Sequence, residues 1–382
     1  MNYFDHSATT QPLPEVMGTY QQVATQFFAN PSSAHELGQR ARQLLEQARK
    51  QVAEILSYRS DEIYFASSGT EVNNWVIKAI APSYISGAKK ATLITTSYEH
   101  PSIRESVQYL QSSGHSIEYL PIDYSGACDY ETLEKLLTDK PIGMLSTMGV
   151  NNEVGSLLDF DRIAKLLEPY PQVIWHVDAV QCLTTQLDSI LHPRIDMLTL
   201  SGHKFHSGRG TGILACRQRV NLLPFLDGGG QEMGMRSSTE NLASIVATAK
   251  ALRLTAERQA VAKATLVQFK DQIIHQLSQY GWQLFNPTHS SEHIICAALP
   301  PIPGEVLVHA FEENEIYLST TSACSSRKHQ PHATLRAMGV NDVISQSAIR
   351  ISLSQHTSPQ EVDSLIQAIA KVSQQLQLRK EL

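Results

Sequence analysis

Four short apolar runs in this chain each stop at residues with chemistry to offer, and helical spacing follows them. Residues 195–200, Ile-Asp-Met-Leu-Thr-Leu, run into Ser201-Gly202-His203-Lys204, and Val173-Ile174-Trp175-His176-Val177 runs into Asp178-Ala179-Val180-Gln181. Glu62-Ile63-Tyr64-Phe65 leads to Ala66-Ser67-Ser68-Gly69-Thr70-Glu71, and residues 91–96 lead to Glu99-His100-Pro101. Strand-like runs alternating with helical segments spell βαβ units, which build a parallel sheet with helices on its faces. Such a sheet has its carboxyl ends along one edge, and open α/β sheets bind ligands at that edge. The pattern therefore predicts that these four tails share a crevice.

The tails differ in chemistry. A lysine becomes a nucleophile toward carbonyls when it is partly desolvated, which makes Lys204 the candidate for a covalent link to a carbonyl cofactor. Asp178, at a strand end, suits the ring nitrogen of pyridoxal phosphate, which needs an anion beside it. Strand, small-residue turn and helix start make an anion cradle of unpaired amides, so Gly69 and Thr70 are candidates to hold the phosphate. Pro101 marks the first position of a helix, which puts His100 level with Asp178 and Lys204, where it can stack on a planar ring. Each feature alone has a plain structural reading: a solvated lysine, a capping aspartate, an ordinary helix cap, a loop histidine. Their combination carries the inference.

Eight ordered motifs resemble the cysteine desulfurases of the NifS/IscS type. They are Asp5-His6-Ser7-Ala8-Thr9-Thr10; Asn30-Pro31-Ser32-Ser33 with His35; Ser68-Gly69-Thr70-Glu71; Glu99-His100; Val150-Asn151-Asn152-Glu153-Val154-Gly155; His176 through Gln181; Ser201 through Lys204; and Ser322-Ala323-Cys324 with Leu335-Arg336-Ala337-Met338-Gly339. The resemblance extends to Ile349-Arg350-Ile351-Ser352-Leu353 and covers nearly the whole chain. It implies a class V aminotransferase-like enzyme dependent on pyridoxal 5'-phosphate. The implied fold is α/β of fold type I, with a large, mixed, mostly parallel sheet domain and a smaller α+β domain. It further implies a homodimer that converts L-cysteine to L-alanine and carries the sulfur away as an enzyme persulfide.

Position by position, Lys204 resembles the cofactor-linking lysine, Asp178 the ring-nitrogen partner, His100 the ring-stacking histidine and Gln181 the donor to the ring oxygen. Thr70, Ser201 and His203 resemble phosphate ligands, and Thr239 resembles one that reaches over from the other subunit. Asn152 is similar to a residue touching ring and substrate, Arg350 to the arginine that grips the substrate carboxylate, and Cys324 to the sulfur-accepting cysteine. A sulfur acceptor must be ionised in part and exposed.

Three departures stand out, the first affecting the loop after Lys204 and the other two the acceptor. Where many relatives carry Gly-Pro-Lys-Gly, this chain has Ser207-Gly208-Arg209-Gly210, and beyond Cys324 it has the basic run Arg327-Lys328-His329 instead of an acidic one. The chain stops at Leu382 without the extension by which housekeeping iron-sulfur relatives grip their scaffold. A tRNA thiouridylase therefore ranks at least level with an iron-sulfur scaffold as the acceptor. The competing readings are another fold type I enzyme, such as a selenocysteine lyase, which would not need Cys324, and a non-catalytic scaffold.

At 382 residues the chain exceeds a single core. The expected division is a large cofactor-binding domain over 12–255 and a small domain formed by 1–11 plus 256–382, which carries the Cys324 loop. The net charge of −6 argues against direct nucleic-acid binding. No apolar run reaches membrane length, and the start lacks a signal pattern, so a cytoplasmic protein is expected. The five cysteines form no C-x-x-C pair, which fits a reducing compartment and no metal. Cys216 and Cys296 fall in strand-like runs and read as core residues.

Helical spacing at Leu37, Ala41, Leu44, Ala48, Val52 and Ile55 predicts a packed face. A long helix is expected from about Ala251, linking the two domains. Ser358, Pro359 and Glu361 predict a capped start for the last helix.

Overall fold

The computed structural model describes residues 2–85, 91–285, 289–321 and 333–378. Their strands are β1 (Asn2–Tyr3), β2 (Ile63–Ala66), β3 (Thr92–Thr96), β4 (Ile117–Leu120), β5 (Ile142–Met148), β6 (Ile174–Asp178), β7 (Met197–Ser201), β8 (Gly212–Cys216), β9 (Gln283–Leu284), β10 (Ile294–Ala298), β11 (Ile316–Tyr317), β12 (Ser319–Thr320) and β13 (Ala348–Ser352).

Seven of them form one sheet in the order β2-β8-β7-β6-β5-β3-β4. Strands β7, β6, β5, β3 and β4 are mutually parallel, and β8 runs antiparallel to both neighbours. Two antiparallel steps bring β2 back into line with β7, so the tails of β2, β3, β5, β6 and β7 share one edge. The sheet is buried on both faces, as parallel sheets are. Ile63, Ile94, Leu145, Trp175, Leu198 and Ile213 pack on one side, and Tyr64, Leu93, Met144, Ile174, Met197 and Leu214 on the other.

On the second face sits a polar rung. His176 bonds Ser146 Oγ through Nδ1 and Thr199 Oγ1 through Nε2, both at 2.9 Å, and burial pushes its pKa down to about 3. His176 is thus a satisfied, neutral core histidine.

A second, antiparallel sheet, β12-β13-β10-β9, has its own core of Phe4, Leu266, Phe269, Ile273, Ile295, Phe311 and Ile351. One helix, Leu242–Gln279, serves both cores: Ile245, Ala249 and Leu252 pack with the large sheet, Leu266 to Leu277 with the small one. It starts nine residues before the Ala251 expected from spacing, because Asn241 Oδ1 caps Ser244 N–H at 3.3 Å.

The helix Glu36–Leu56 buries Gly38, Ala41, Leu45, Ala48, Val52 and Leu56, a stripe rotated from the expected one. Leu37 is 47% exposed, since the first turn presents Gly38 inward, where a Cβ would stand 2.3 Å from Ser33 O. Ser358 and Glu361 form the expected reciprocal cap, with Ser358 N–H donating to Glu361 Oε2 at 2.8 Å and Glu361 N–H to Ser358 Oγ at 3.3 Å.

The N-terminal arm ties the two sheets together. Phe4 N–H donates to Tyr317 O at 2.7 Å, Ser7 N–H to Ser352 Oγ at 2.9 Å, and Thr10 N–H to His203 O at 2.8 Å.

Candidate active site

The common edge opens on a cavity of about 210 Å³. Lys204 ends the single 3₁₀ turn Gly202–Lys204 that follows β7. Its Nζ donates to Ser7 O and, at 2.8 Å, to Ala8 O, so the N-terminal arm supplies the acceptors that orient the amine. Thr10 pins that arm by donating both N–H and Oγ1–H to His203 O, at 2.8 and 2.9 Å.

Asp178 is the last residue of β6 and 4% exposed. Burial raises its pKa, while donation from Asn73 Nδ2 (2.7 Å) and Val180 N–H (3.1 Å) and the charge of Lys204 work in the other direction. His100 caps the helix Pro101–Ser112, with Nδ1 accepting from Ser102 N–H at 3.1 Å. Burial, aided by Lys204 and Arg104, pushes its pKa down to about 4, so the ring is neutral near pH 7. His203 is likewise lowered to about 4 by burial and the Lys204 charge, and its Nδ1 lies 3.2 Å from Thr9 Oγ1.

The turn after β2 is shaped for close approach. Ser68 Oγ accepts from Glu71 N–H at 3.1 Å to start the helix Gly69–Asn74. Gly69 N–H points to Ser201 Oγ at 3.4 Å, and a Cβ there would lie 3.1 Å from Ser201 Cβ and 3.2 Å from Val180 Cγ2. Any larger residue would press on Ser201 and Val180, so glycine lets the turn sit close against β7. Glu71 is clamped by Arg236, whose Nε and Nη2 donate at 2.7 and 3.1 Å.

Arg350 enters from the other sheet, in β13, and is 2% exposed. Nη1 donates to Asn152 O at 2.9 Å and Nη2 to Asp5 Oδ1 at 2.7 Å, while Nε is buried with no partner among the described residues. Arg350 is one of the cavity's lining residues, and a guanidinium there favours an anion. Gln181 Nε2 donates to Ser7 O at 2.9 Å.

Gly69, Thr70, His100, Asn152, Asp178, Gln181, Ser201, His203, Lys204 and Arg350 thus all line one cavity. Thr239 does not line it and is exposed, and Cys324 lies outside the described residues. Sequence reasoning gave no role to Ser7, Ala8, Asn73 or Ser102, which also line the cavity. Ser7 and Ala8 carried a signal, the Asp5–Thr10 motif; Asn73 and Ser102 carried none.

The donor set fits pyridoxal 5'-phosphate. A buried carboxylate is placed for a protonated ring nitrogen, a neutral imidazole for the ring face, an amine for the carbonyl, and a tight glycine turn with the hydroxyls of Thr70 and Ser201 for the phosphate. Fold and site together define a pyridoxal-phosphate enzyme of fold type I.

The Aminotransferase class-V family model matches residues 2–365. A NifS/IcsS protein homolog of Lactobacillus delbrueckii subsp. bulgaricus is 43% identical over 380 residues, covering 98% of this chain and 97% of its own. The cysteine desulfurase IscS of Methanosarcina thermophila is 33% identical over 376 residues, covering 98% and 92%. A solved NifS-like protein superposes with a TM-score of 0.91 at 32% identity, covering 98% of this chain and 99% of that one. The chain belongs to the class-V aminotransferase family.

Proposed function

We propose that the protein is a pyridoxal-phosphate-dependent cysteine desulfurase that converts L-cysteine to L-alanine and passes the sulfur, as a persulfide on Cys324, to an acceptor protein. The observation that carries the reading is the meeting of Lys204, from the large sheet, and Arg350, from the small one, on the wall of one cavity whose floor holds Asp178. An amino acid needs these three things: a cation for its carboxylate, an amine to work at its α-carbon, and an anion behind the electron-withdrawing ring.

Gly69, Thr70, Ser201 and His203 would hold the phosphate, Asp178 the ring nitrogen, His100 the ring face and Lys204 the carbonyl. When bound, the cofactor draws electrons from the substrate's α-carbon. Arg350 binds the carboxylate and fixes the substrate's orientation, with Asn152 beside it. Lys204 Nζ takes the α-proton and can return it, within reach of the Ser7 and Ala8 carbonyls that steady it. The Cys324 thiolate attacks the substrate sulfur: an S–S bond forms, the C–S bond breaks, and its electron pair stays on carbon, which takes up a proton to become the methyl group of alanine.

The remaining parts of the reading are a division at 12–255 and 1–11 plus 256–382, a homodimer with Thr239 serving the neighbouring site, and a cytoplasmic setting. The acceptor is a tRNA thiouridylase or an iron-sulfur scaffold. No helix among the described residues is long and apolar enough to cross a membrane.

The test is mass spectrometry of protein treated with cysteine. One extra sulfur on Cys324 is expected, with alanine formed in step; Lys204→Ala should lose both together with the covalently held cofactor. Cys324→Ala protein that still made alanine at the normal rate would turn the reading toward another fold type I enzyme.

A further inference from the structure

In the cavity wall a hydrogen-bond chain joins two groups that the reaction would use separately. Asn73, 1% exposed, lies in the helix Gly69–Asn74 and donates through Nδ2 to Asp178 Oδ2 at 2.7 Å and to Ser102 Oγ at 2.8 Å. Ser102 Oγ lies 2.8 Å from His100 Nδ1, and the Ser102 backbone N–H donates to that same nitrogen at 3.1 Å.

The directions of these bonds are forced in sequence. An ionised carboxylate only accepts, so the NH₂ end of the Asn73 amide must face Asp178. Its second N–H then goes to Ser102, whose oxygen is used as acceptor and whose own hydrogen is left for His100 Nδ1. A backbone N–H can only donate, so His100 Nδ1 receives two donors and carries no proton of its own. The neutral ring must hold its hydrogen on Nε2.

We propose that Asn73 is a positioning residue that couples the Asp178 carboxylate to the His100 ring through Ser102 and fixes His100 as the Nε2–H tautomer. This rests on the reading of Asp178 and His100 as cofactor-facing groups. Its consequence is that Nε2 offers a hydrogen and has no in-plane lone pair, so His100 acts as a donor, and proton abstraction falls to Lys204.

The test uses full-length protein labelled with ¹⁵N at histidine, without and with pyridoxal phosphate, with the His100 signals identified as those lost in His100→Gln. The expected wild-type pattern is a bare Nδ1 and a protonated Nε2. In Asn73→Asp the new carboxyl stands against Asp178 and shares a proton with it, and its other lone pairs accept the Ser102 hydroxyl, so His100 Nδ1 loses that donor and the titration midpoint should rise by about one pH unit or more. Ser102→Ala, which removes the hydroxyl at little cost in volume, should move it the same way and serves if Asn73→Asp does not fold.

A residue that merely packed would lower the melting temperature and leave the midpoint in place. A proton on Nδ1 in the wild type, or midpoints unmoved in both variants, overturns the inference even if the cofactor binds. Wild-type protein that takes up no lysine-linked cofactor would instead sink the functional reading, while the tautomer measured without cofactor would still stand or fall by itself.

Discussion

At the residue scale the site's neighbourhood is set by burial acting on charge. Glu99 is held between Thr96 and Met148, with Oε1 accepting from Met148 N–H at 2.9 Å, and burial raises its pKa to about 8. Glu153 is raised to about 7 in the same way. The folded chain keeps protons here that the unfolded chain releases above about pH 4.5, so these groups make stability fall as pH rises through 7 and 8. The neutral buried histidines act oppositely. His6, His176 and His293 are lowered to about 3 and His100, His203 and His356 to about 4, so their contribution is full above about pH 6.5 and is lost as pH falls toward 4 and below. Between pH 7 and 8 the histidines contribute equally to wild type and a Glu99 variant, while Glu99 still titrates. Glu99→Gln, whose Oε1 can still accept from Met148, should therefore remove a loss of about 1 kcal/mol over that interval. Melting temperatures at pH 7 and 8 would check this, and equal slopes in wild type and variant would refute it. The strand-end residues were legible in the sequence because each follows an apolar run. Asn73 was not, because a buried amide inside a helix has no local signature; its partners, Ser102 and Asp178, are 29 and 105 residues away.

Elements are held in register by a buried ion pair outside the cavity lining. Arg49, on the helix Glu36–Leu56, donates to Glu232 through Nη1 and Nη2 at 2.8 and 3.0 Å, and Nη1 also reaches Ile63 O at 2.7 Å. Glu232 Oε2 accepts from Phe65 N–H at 2.9 Å, which fastens the glycine-rich segment to β2 just before the Gly69 turn. That segment needs fastening, since Glu232 and Met233 both adopt left-handed backbone (φ 49° and 58°), each at a cost of order 1 kcal/mol or more. Arg49→Met leaves a buried carboxylate unpaired and should cost about 3–5 kcal/mol. Adding Glu232→Gln, which keeps an acceptor for Phe65, should recover part of the loss. Thermal melts of the single and double variants decide it: a double variant no better than Arg49→Met alone would mean that the carboxylate's charge is not the cause. Periodicity showed that the helix carrying Arg49 packs on one face, yet placed Leu37 inward. It could not see that the backbone of Ser33 closes on the first turn and leaves room there for glycine alone. The early start of the helix Leu242–Gln279 escaped for a related reason, since its only start signal is the capping side chain of Asn241.

For the whole molecule, the position of Thr239 matters most. Every other candidate ligand among the described residues lines the cavity of its own chain, whereas Thr239 is exposed and lies away from it. If it is the phosphate ligand of the proposed homodimer, a residue so placed would serve the neighbouring copy, an arrangement that a two-fold axis makes reciprocal. Lys204→Ala protein and Thr239→Val protein should each be impaired alone, the first for want of the amine and the second for want of the hydroxyl. Mixed and reassembled, half of the dimers are heterodimers, and in each of these one site has both a native lysine from its own chain and a native threonine from the other. Alanine formation should recover to about a quarter of the wild-type rate. If Thr239 acted within its own chain, no heterodimer site would be whole, and the mixture would show only the average of the two variants. That result would overturn the reciprocal arrangement, whereas Thr239→Val protein of normal activity would make the threonine a structural surface residue and leave the phosphate to Gly69, Thr70, Ser201 and His203.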